Sequence, residues 1–162
     1  ASYTDKGANG IKPLTATKIS MLSYPLIYAD KFIEKKKAQT FLVTKELWKE
    51  IEQEMVIVLP SHEGMLRYGD IDFTGVGQIN LGVAVAPTYF SGGTVDVFLD
   101  NERGTSIGTA ELEVGLTDIG FKELLININP TEGAHDLILK FKSKDTSKIF
   151  AGVATLEFKK RK

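Results

Sequence analysis

The chain has 162 residues, no cysteine and a formal net charge of −1. This length suits one domain with a hydrophobic core, and the lack of cysteine excludes disulfides, thiolate catalysis and cysteine–zinc sites. The near-neutral charge provides no basic field that would attract nucleic acid, and charged residues interrupt every apolar run before it reaches the length of a membrane span. Because only two histidines occur, His62 and His135, a histidine-rich metal centre is excluded as well.

The N-terminal part of the chain divides into two segments. Residues 1–20 are polar and rich in turn-forming residues, which predicts a lead-in or linker segment, and the folded module is expected over 21–162. The stretch MLSYPLIYADKF follows at the start of the module. Its apolar run is broken by Pro25, which is typical of an edge strand.

One helix is predicted, over residues 44–55. Thr44 can cap its N-terminus, and Trp48 is expected to seal the helix against the rest of the module. Three apolar residues recur at i, i+4 and i+8 and would form one stripe of the helix: Leu47, Ile51 and Met55.

From residue 56 the apolar residues recur with a period of two, which predicts β-strands. Turn signals such as SGG, DNERG, NPTEG and SKDTS separate the strands, and no helical pattern lies between them. The sequence therefore predicts an all-β protein, an antiparallel β-sandwich with one short helix. The expected inward-facing residues are Ile79, Leu81, Val83, Val85, Val95, Val97, Leu99, Leu112, Val114, Leu124, Ile126, Ile128, Leu137, Leu139 and Phe141, before a last strand that ends near Phe158.

The stretch DIDFTG contains a D-x-D-x-T pattern that can hold a phosphate-transfer nucleophile and a magnesium ligand. Such a site requires a buried parallel strand in an α/β fold, and the strand preceding it should be continuously apolar. Here the residues that precede it are EGMLRYG, and all-β sequence follows. We therefore expect Ile71 and Phe73 to face the core, and Asp70 and Asp72 to face solvent.

Two further charged patterns are expected to lie on solvated surface. Glu111 and Glu113 share one face of a strand and can be read as an acid–base pair, but the same spacing places them on the face opposite Leu112. The basic stretch FKKRK at the end of the chain is typical of a solvated tail.

Tyr89 and Phe90 lie between strands, in APTYFSGG, and are candidate ligand-binding residues. Aromatic rings on loops can stack on the apolar faces of sugar rings. In the alternative, one of the two rings closes the end of the sandwich.

Three stretches resemble the family 6 carbohydrate-binding modules: GGTVDVFLDNERGTSIGTAEL, EGAHDLILKFK and RYGDIDFTGVGQINLGVAVA. This resemblance implies a β-sandwich of the jelly-roll type that binds glycans without catalysis. It also implies a sugar site formed by an aromatic pair and an asparagine at one end of the sandwich, or a second site on the concave face of a sheet.

The resemblance adds one aromatic residue to the candidate sugar site. Phe121, after DIG, matches a family tryptophan that stacks on sugar, so the candidate ligand-binding residues are Phe121, Tyr89 and Phe90. The family asparagine is replaced by Gly152, and the tryptophan that follows it is replaced by Thr155.

The resemblance also implies a structural calcium ion, held partly by two glutamates of the opening strand and an aspartate near the end of the module. Tyr28 and Asp30 stand at the glutamate positions, and Ala154 at the aspartate position. Asp30 is therefore the one candidate metal ligand that keeps a carboxylate, whereas calcium requires about 6–8 oxygen ligands.

The resemblance, together with the loop aromatics, implies a non-catalytic carbohydrate-binding module of a larger secreted, periplasmic or cell-surface protein. Its expected partners are a polysaccharide or oligosaccharide and covalently linked neighbouring domains, with no nucleic acid and no membrane. The alternative is a structural or protein-docking module that has lost its sugar site. A third hypothesis, an enzyme that uses Asp70 and Asp72, requires hydrolysis of a phosphate ester.

Overall fold

The computed structural model describes residues 2–4, 15–17, 26–49 and 51–161. These residues form β-strands joined by turns, and every pairing between the strands is antiparallel. The strands are β1 (Ser2–Thr4), β2 (Thr15–Thr17), β3 (Leu26–Tyr28), β4 (Glu34–Val43), β5 (Met55–Asp72), β6 (Val76–Val85), β7 (Gly92–Leu99), β8 (Gly108–Glu113), β9 (Gly120–Asn127), β10 (Ala134–Ser143) and β11 (Gly152–Lys160).

The strands β3 to β11 form two layers. The first layer runs in the order β8, β7, β10 and the second half of β5, and the second layer runs β9, β6, β11 and the first half of β5. The long strand β5 therefore belongs to both layers. β4 pairs along β5, and β3 pairs with β11 on the side opposite β6. β1 and β2 pair with each other as a separate two-stranded sheet.

The main core lies between the two layers. Side chains at alternate positions of β7 and β10 meet those of β6, β9 and β11, because successive residues of a strand point to opposite faces. Of the inward-facing residues predicted from the sequence, Leu99 and Val114 are partly buried and pack against the core, and the others are buried. The all-β antiparallel sandwich predicted from the sequence is confirmed.

A second, smaller apolar cluster lies on the outer face of the second layer. It comprises Val43, Ile51, Ile57, Ala84 and Ala154, with Trp48, Met55 and Leu59 packed against it. Both faces of this layer therefore carry apolar side chains at one end, and this end forms the site described below.

The predicted helix over 44–55 is wrong. The described residues of this segment form turns, with the amide N–H groups of Leu47 and Trp48 both donating to the carbonyl of Thr44, at 3.1 and 3.0 Å. The apolar stripe is divided, because Ile51 is buried in the second cluster whereas Leu47 is 66% exposed. Met55 instead begins β5, where it pairs with Val43, so strand pairing overrides the local helical preference.

The remaining predictions for the N-terminal half fall partly outside the described residues. The boundary between residues 20 and 21 lies outside them, as does Pro25. Leu26–Tyr28 form the part of the predicted edge strand that the structure describes. Within the described ranges, the structure contains no helix with the length and apolar character that crossing a membrane requires.

Candidate functional site

A cleft of about 700 Å³ opens on the outer face of the second layer, at the end where loops join the strands. The residues that line it come from β4, β5, β6 and four loops, and almost all of them are apolar. They are Phe41, Val43, Leu47, Trp48, Lys49, Ile57, Leu59, Ala84, Ala86, Tyr89, Phe90, Ile119 and Ile149. This volume lies within the range of about 300–1,000 Å³ that is typical of small-molecule sites.

The floor of the cleft is apolar because the strands beneath it carry apolar residues on both faces. In β5, Val58 faces the core, whereas Ile57 on its other side lines the cleft beside its cross-strand partner Phe41. Ala84 provides the floor in β6, where its small side chain leaves room above the sheet.

Gly152 explains part of this apolar floor. A Cβ atom at this position would lie 2.7 Å from Cδ1 of Ile57, so the isoleucine side chain occupies the space that a larger residue would need. The family resemblance expects an asparagine here. The side chain of Ile57 therefore occupies the space beside the position that the resemblance assigns to an asparagine.

Tyr89 and Phe90 lie together on the rim of the cleft, in the loop between β6 and β7. Their backbone amides both donate to the carbonyl of Ala86, at 3.0 and 2.9 Å, and their rings meet edge to face with centroids 6.4 Å apart. Ile149 holds this loop from the other side, because its amide donates to the carbonyl of Tyr89 at 3.3 Å and its carbonyl accepts from Ser91 at 3.0 Å. The Tyr89 side chain remains 67% exposed, so its ring is available to a ligand.

Phe121 does not line the cleft itself but contacts a residue that does. Its side chain stacks on Trp48, with ring centroids 4.8 Å apart and an interplanar angle of 27°. Trp48 lines the cleft and Phe121 does not, although Phe121 is the cross-strand neighbour of Ala84. The structure therefore brings Tyr89, Phe90 and Trp48 to the rim, with Phe121 supporting Trp48 from behind.

The outer face of the second layer is polar beyond the cleft. Asn80, four residues before Ala84 on β6, is 5% exposed and its Nδ2 lies 3.4 Å from Oε2 of Glu157. Among the described residues, no group donates a hydrogen bond to its Oδ1. Gln78 follows on the same face, with its Nε2 2.7 Å from Oδ1 of Asn127.

Asp30, the candidate metal ligand, lies in the turn after β3. Its carboxylate accepts a hydrogen bond from Lys31 at 3.2 Å, and the described residues contain no group of three or more His, Asp or Glu that could hold a metal ion. Ala154, at the position of the family aspartate, is buried in the second apolar cluster. Within the described ranges, the side chains around Asp30 therefore do not by themselves supply the oxygen ligands that a structural calcium ion requires.

Tyr68 is the buried neighbour of this turn. Its hydroxyl donates to the carbonyl of Ala29 at 2.8 Å, and burial, together with the charge of Asp30, raises the pKa of the phenol. The hydrogen bond therefore ties the turn to the core strand β5.

The D-x-D-x-T pattern has the exposure expected of a strand. Ile71 and Phe73 are buried, with exposed fractions of 3% and 0%, whereas Asp70 and Asp72 are exposed, as predicted. Asp72 accepts a hydrogen bond from the amide of Thr74 at 2.9 Å and so shapes the turn that follows. The parallel sheet that phosphate-transfer chemistry requires is not formed, because β5 pairs only with antiparallel neighbours in the described structure.

A polar cluster joins the ends of three strands away from the cleft. Nδ1 of His135 lies 2.7 Å from Oδ2 of Asp100, and its Nε2 lies 3.0 Å from the carbonyl oxygen of Glu132. Both partner atoms are hydrogen-bond acceptors, and the protonated imidazolium can donate to both of them at once. These hydrogen bonds therefore raise the pKa of His135. Arg67 adds two hydrogen bonds to Asp136, at 2.9 and 2.6 Å.

No family model matches the chain, and no curated protein matches it. Solved structures do match. A β-1,3-glucan-binding family 6 module from Bacillus halodurans is 17% identical with a TM-score of 0.70, and the match covers 84% of this chain and 96% of that chain. A family 6 module from Clostridium cellulolyticum in complex with xylose is 23% identical with a TM-score of 0.70, and covers 85% and 98%.

A third match is to a larger protein. A glycoside hydrolase family 43 arabinoxylan arabinofuranohydrolase from Bacillus subtilis, in complex with cellotetraose, is 21% identical with a TM-score of 0.70; the match covers 90% of this chain and 29% of that chain. Together these matches show that the chain has the β-sandwich fold of the family 6 carbohydrate-binding modules, which confirms the resemblance at the level of the fold.

The sequence indicated part of the cleft and missed the rest. Tyr89 and Phe90 were recognisable because aromatic residues stood in a turn-rich loop. The helical spacing places Trp48 in a helix that the structure does not form, and the predictions from the sequence do not include the apolar floor. The available signal was the apolar run VIVL at residues 56–59, which is apolar on both faces of one strand and so requires cover on both sides.

Proposed function

We propose that the chain is a non-catalytic glycan-binding module that holds its ligand in the cleft. The observation that carries this proposal is the placement of four aromatic side chains around one cleft, with Trp48, Tyr89 and Phe90 in its loops and Phe41 on β4. Aromatic faces pack against the C–H groups of sugar rings, and the cleft is large enough for more than one such contact. The solved structures with this fold support a glycan as the ligand class.

We further propose that the module works as part of a longer, secreted protein. The match to the Bacillus subtilis hydrolase supports this, because it covers only 29% of that chain. The ligand partners are then a polysaccharide or oligosaccharide, and the covalent partners are neighbouring domains.

Trp48 makes the proposal directly testable, because it is the only tryptophan of the chain. Its fluorescence should change on titration with cellotetraose, xylo-oligosaccharides or β-1,3-gluco-oligosaccharides, and calorimetry should give the same dissociation constant. Tyr89→Ala should weaken binding about tenfold, which corresponds to about 1.4 kcal/mol.

A matched control is Phe98→Ala, which removes a partly buried ring from β7 in the first layer, where Lys140 lies over it. This variant should bind as the parent chain does. If no glycan of these three classes changes the fluorescence or releases heat, the proposal is wrong, and a structural or protein-docking module becomes the better explanation. Equal binding by Tyr89→Ala and the parent would instead exclude this cleft as the site.

A further inference from the structure

The polar groups of the cleft lie on its loops and not on its floor. Among the described lining residues, polar side-chain atoms occur only on Trp48, Lys49 and Tyr89, and all three belong to loops. The strand residues of the floor, Phe41, Val43, Ile57, Leu59 and Ala84, are all hydrocarbon. The site is thus divided into a rim that can donate hydrogen bonds and a floor that cannot.

An unsubstituted sugar does not match this floor. Its hydroxyl groups surround the ring edge, and a hydroxyl buried without a hydrogen-bond partner costs free energy. Aromatic rings on the rim can hold one sugar face while the hydroxyls stay in water or contact Lys49 and Tyr89. The space above Ile57 and Ala84 then remains unfilled by polar ligand atoms.

The rim itself is also unusually apolar for surface that is exposed to water. Leu47 is 66% exposed, Ile119 is 78% exposed and Tyr89 is 67% exposed, and these residues surround the same opening. Contiguous exposed apolar surface of this kind marks binding sites. Because the apolar surface continues from the rim into the floor, a ligand that covers both must carry an apolar part.

We propose that the preferred ligand is an amphiphilic glycan, a sugar that carries an acyl, alkyl or aryl substituent. The sugar ring stacks on the aromatic rim, its oxygen atoms accept hydrogen bonds from Lys49, its hydroxyls donate to or accept from the Tyr89 hydroxyl, and the substituent fills the apolar floor. This inference rests on the proposed glycan-binding function and goes beyond it by naming the chemical class of the ligand.

A series of β-glucosides with methyl, butyl, hexyl and octyl groups tests the inference, each used below its critical micelle concentration. Each methylene that enters the floor should tighten binding by at most about fourfold, and the octyl glucoside should bind at least about tenfold more tightly than the methyl glucoside. Octanol alone should bind at least about tenfold more weakly than octyl glucoside, because it lacks the ring that stacks on the rim. Trp48 fluorescence and calorimetry both report the dissociation constants.

Two variants locate the apolar part of the ligand. Ala86→Leu narrows the cleft from the loop that follows β6, and Leu47→Ser removes an exposed apolar contact, so each should reduce the ratio of methyl to octyl dissociation constants to less than about threefold. Ile33→Ser is the control: Ile33 is 63% exposed and packs beside Gly69 on β5, outside the cleft lining. Its ratio should equal that of the parent chain.

The outcomes separate this inference from the proposed function. If cellotetraose binds and chain length has no effect, the amphiphilic ligand is wrong and glycan binding stands. If neither cellotetraose nor any glucoside binds, both proposals are wrong. If octanol binds as tightly as octyl glucoside, or if sedimentation shows that a second copy of the chain closes the cleft, the inference is also overturned.

Discussion

Phe73 packs edge-on against Phe158, with the ring centroids 6.0 Å apart and an interplanar angle of 90°. Its side chain is fully buried, whereas Asp70, three residues earlier on the same stretch, is exposed. If the DIDFTG stretch has a structural role, replacing Phe73 should destabilise the fold and replacing Asp70 should not. If it has a catalytic role, replacing Asp70 should abolish an activity.

Phe73→Ala should lower the free energy of unfolding by about 3–5 kcal/mol, because a buried ring is lost and a cavity remains. Asp70→Asn should change it by less than about 0.5 kcal/mol, since asparagine also tolerates the backbone φ of 55° at this position. Urea unfolding monitored by circular dichroism measures both values. A phosphatase activity that Asp70→Asn abolishes would contradict this structural role.

At the scale of the elements, charge holds the ends of β7 and β10 together. Asp100 follows β7 and His135 lies near the start of β10, and the backbone adds two more links between the same strands. The amide of Asp136 donates to Oδ1 of Asp100 at 2.9 Å, and the amide of Asp100 donates to the carbonyl of Asp136 at 2.9 Å.

This pair predicts a window of pH in which it stabilises the fold. The hydrogen bond from His135 lowers the pKa of Asp100 below its ordinary value of 3.8, so this contribution is present above pH 3.8 and is lost as the pH falls through the lowered pKa. The pKa of His135 is raised above its ordinary value of 6.5, so its contribution is present below pH 6.5 and is lost as the pH rises through the raised pKa. Both contributions are complete between about pH 4 and 6.5.

His135→Gln measures this contribution. The difference in free energy of unfolding between the parent and the variant should be largest near pH 5.5 and should shrink at pH 3 and pH 8.5, and it should amount to about 1 kcal/mol or less, because both side chains are accessible to water and salt. Arg67 and Asp136 are unchanged in the variant, whereas the contact between Nε2 of His135 and the Glu132 carbonyl is removed together with the ion pair. A difference that is constant from pH 3 to pH 8.5 would show that the ion pair contributes nothing.

The elements also show what sequence patterns could and could not predict. The strands from β6 onward were predictable because one face of each meets the core and the other faces solvent, so apolar residues alternate. The structure of segment 44–54 could not be predicted in this way. Its helical spacing is a local property of the sequence, whereas the pairing of Val43 with Met55, which flank the segment, depends on contacts between two strands. β4 was missed for a related reason: its charged residues EKKK lie on an edge strand that pairs only with β5 in the described structure.

At the scale of the whole molecule, two layers enclose one core and leave a second apolar cluster on the outer face of the second layer. The cleft lies where this cluster meets the loops. Its floor combines residues that are more than 40 positions apart in the sequence, such as Phe41 and Ala84. No local pattern brings such residues together, which is why the fold could be predicted from the sequence more completely than the site.

A map of the bound ligand by nuclear magnetic resonance tests the placement of the site most directly. Titration of ¹⁵N-labelled chain with cellotetraose, and separately with octyl glucoside, should shift the indole N–H of Trp48 and the amides of Ala84, Ala86 and Tyr89. The amide chemical shifts around His135, in the polar cluster away from the cleft, should not change. Shifts confined to the first layer or to the His135 cluster, with the cleft signals unchanged, would show that the ligand binds elsewhere.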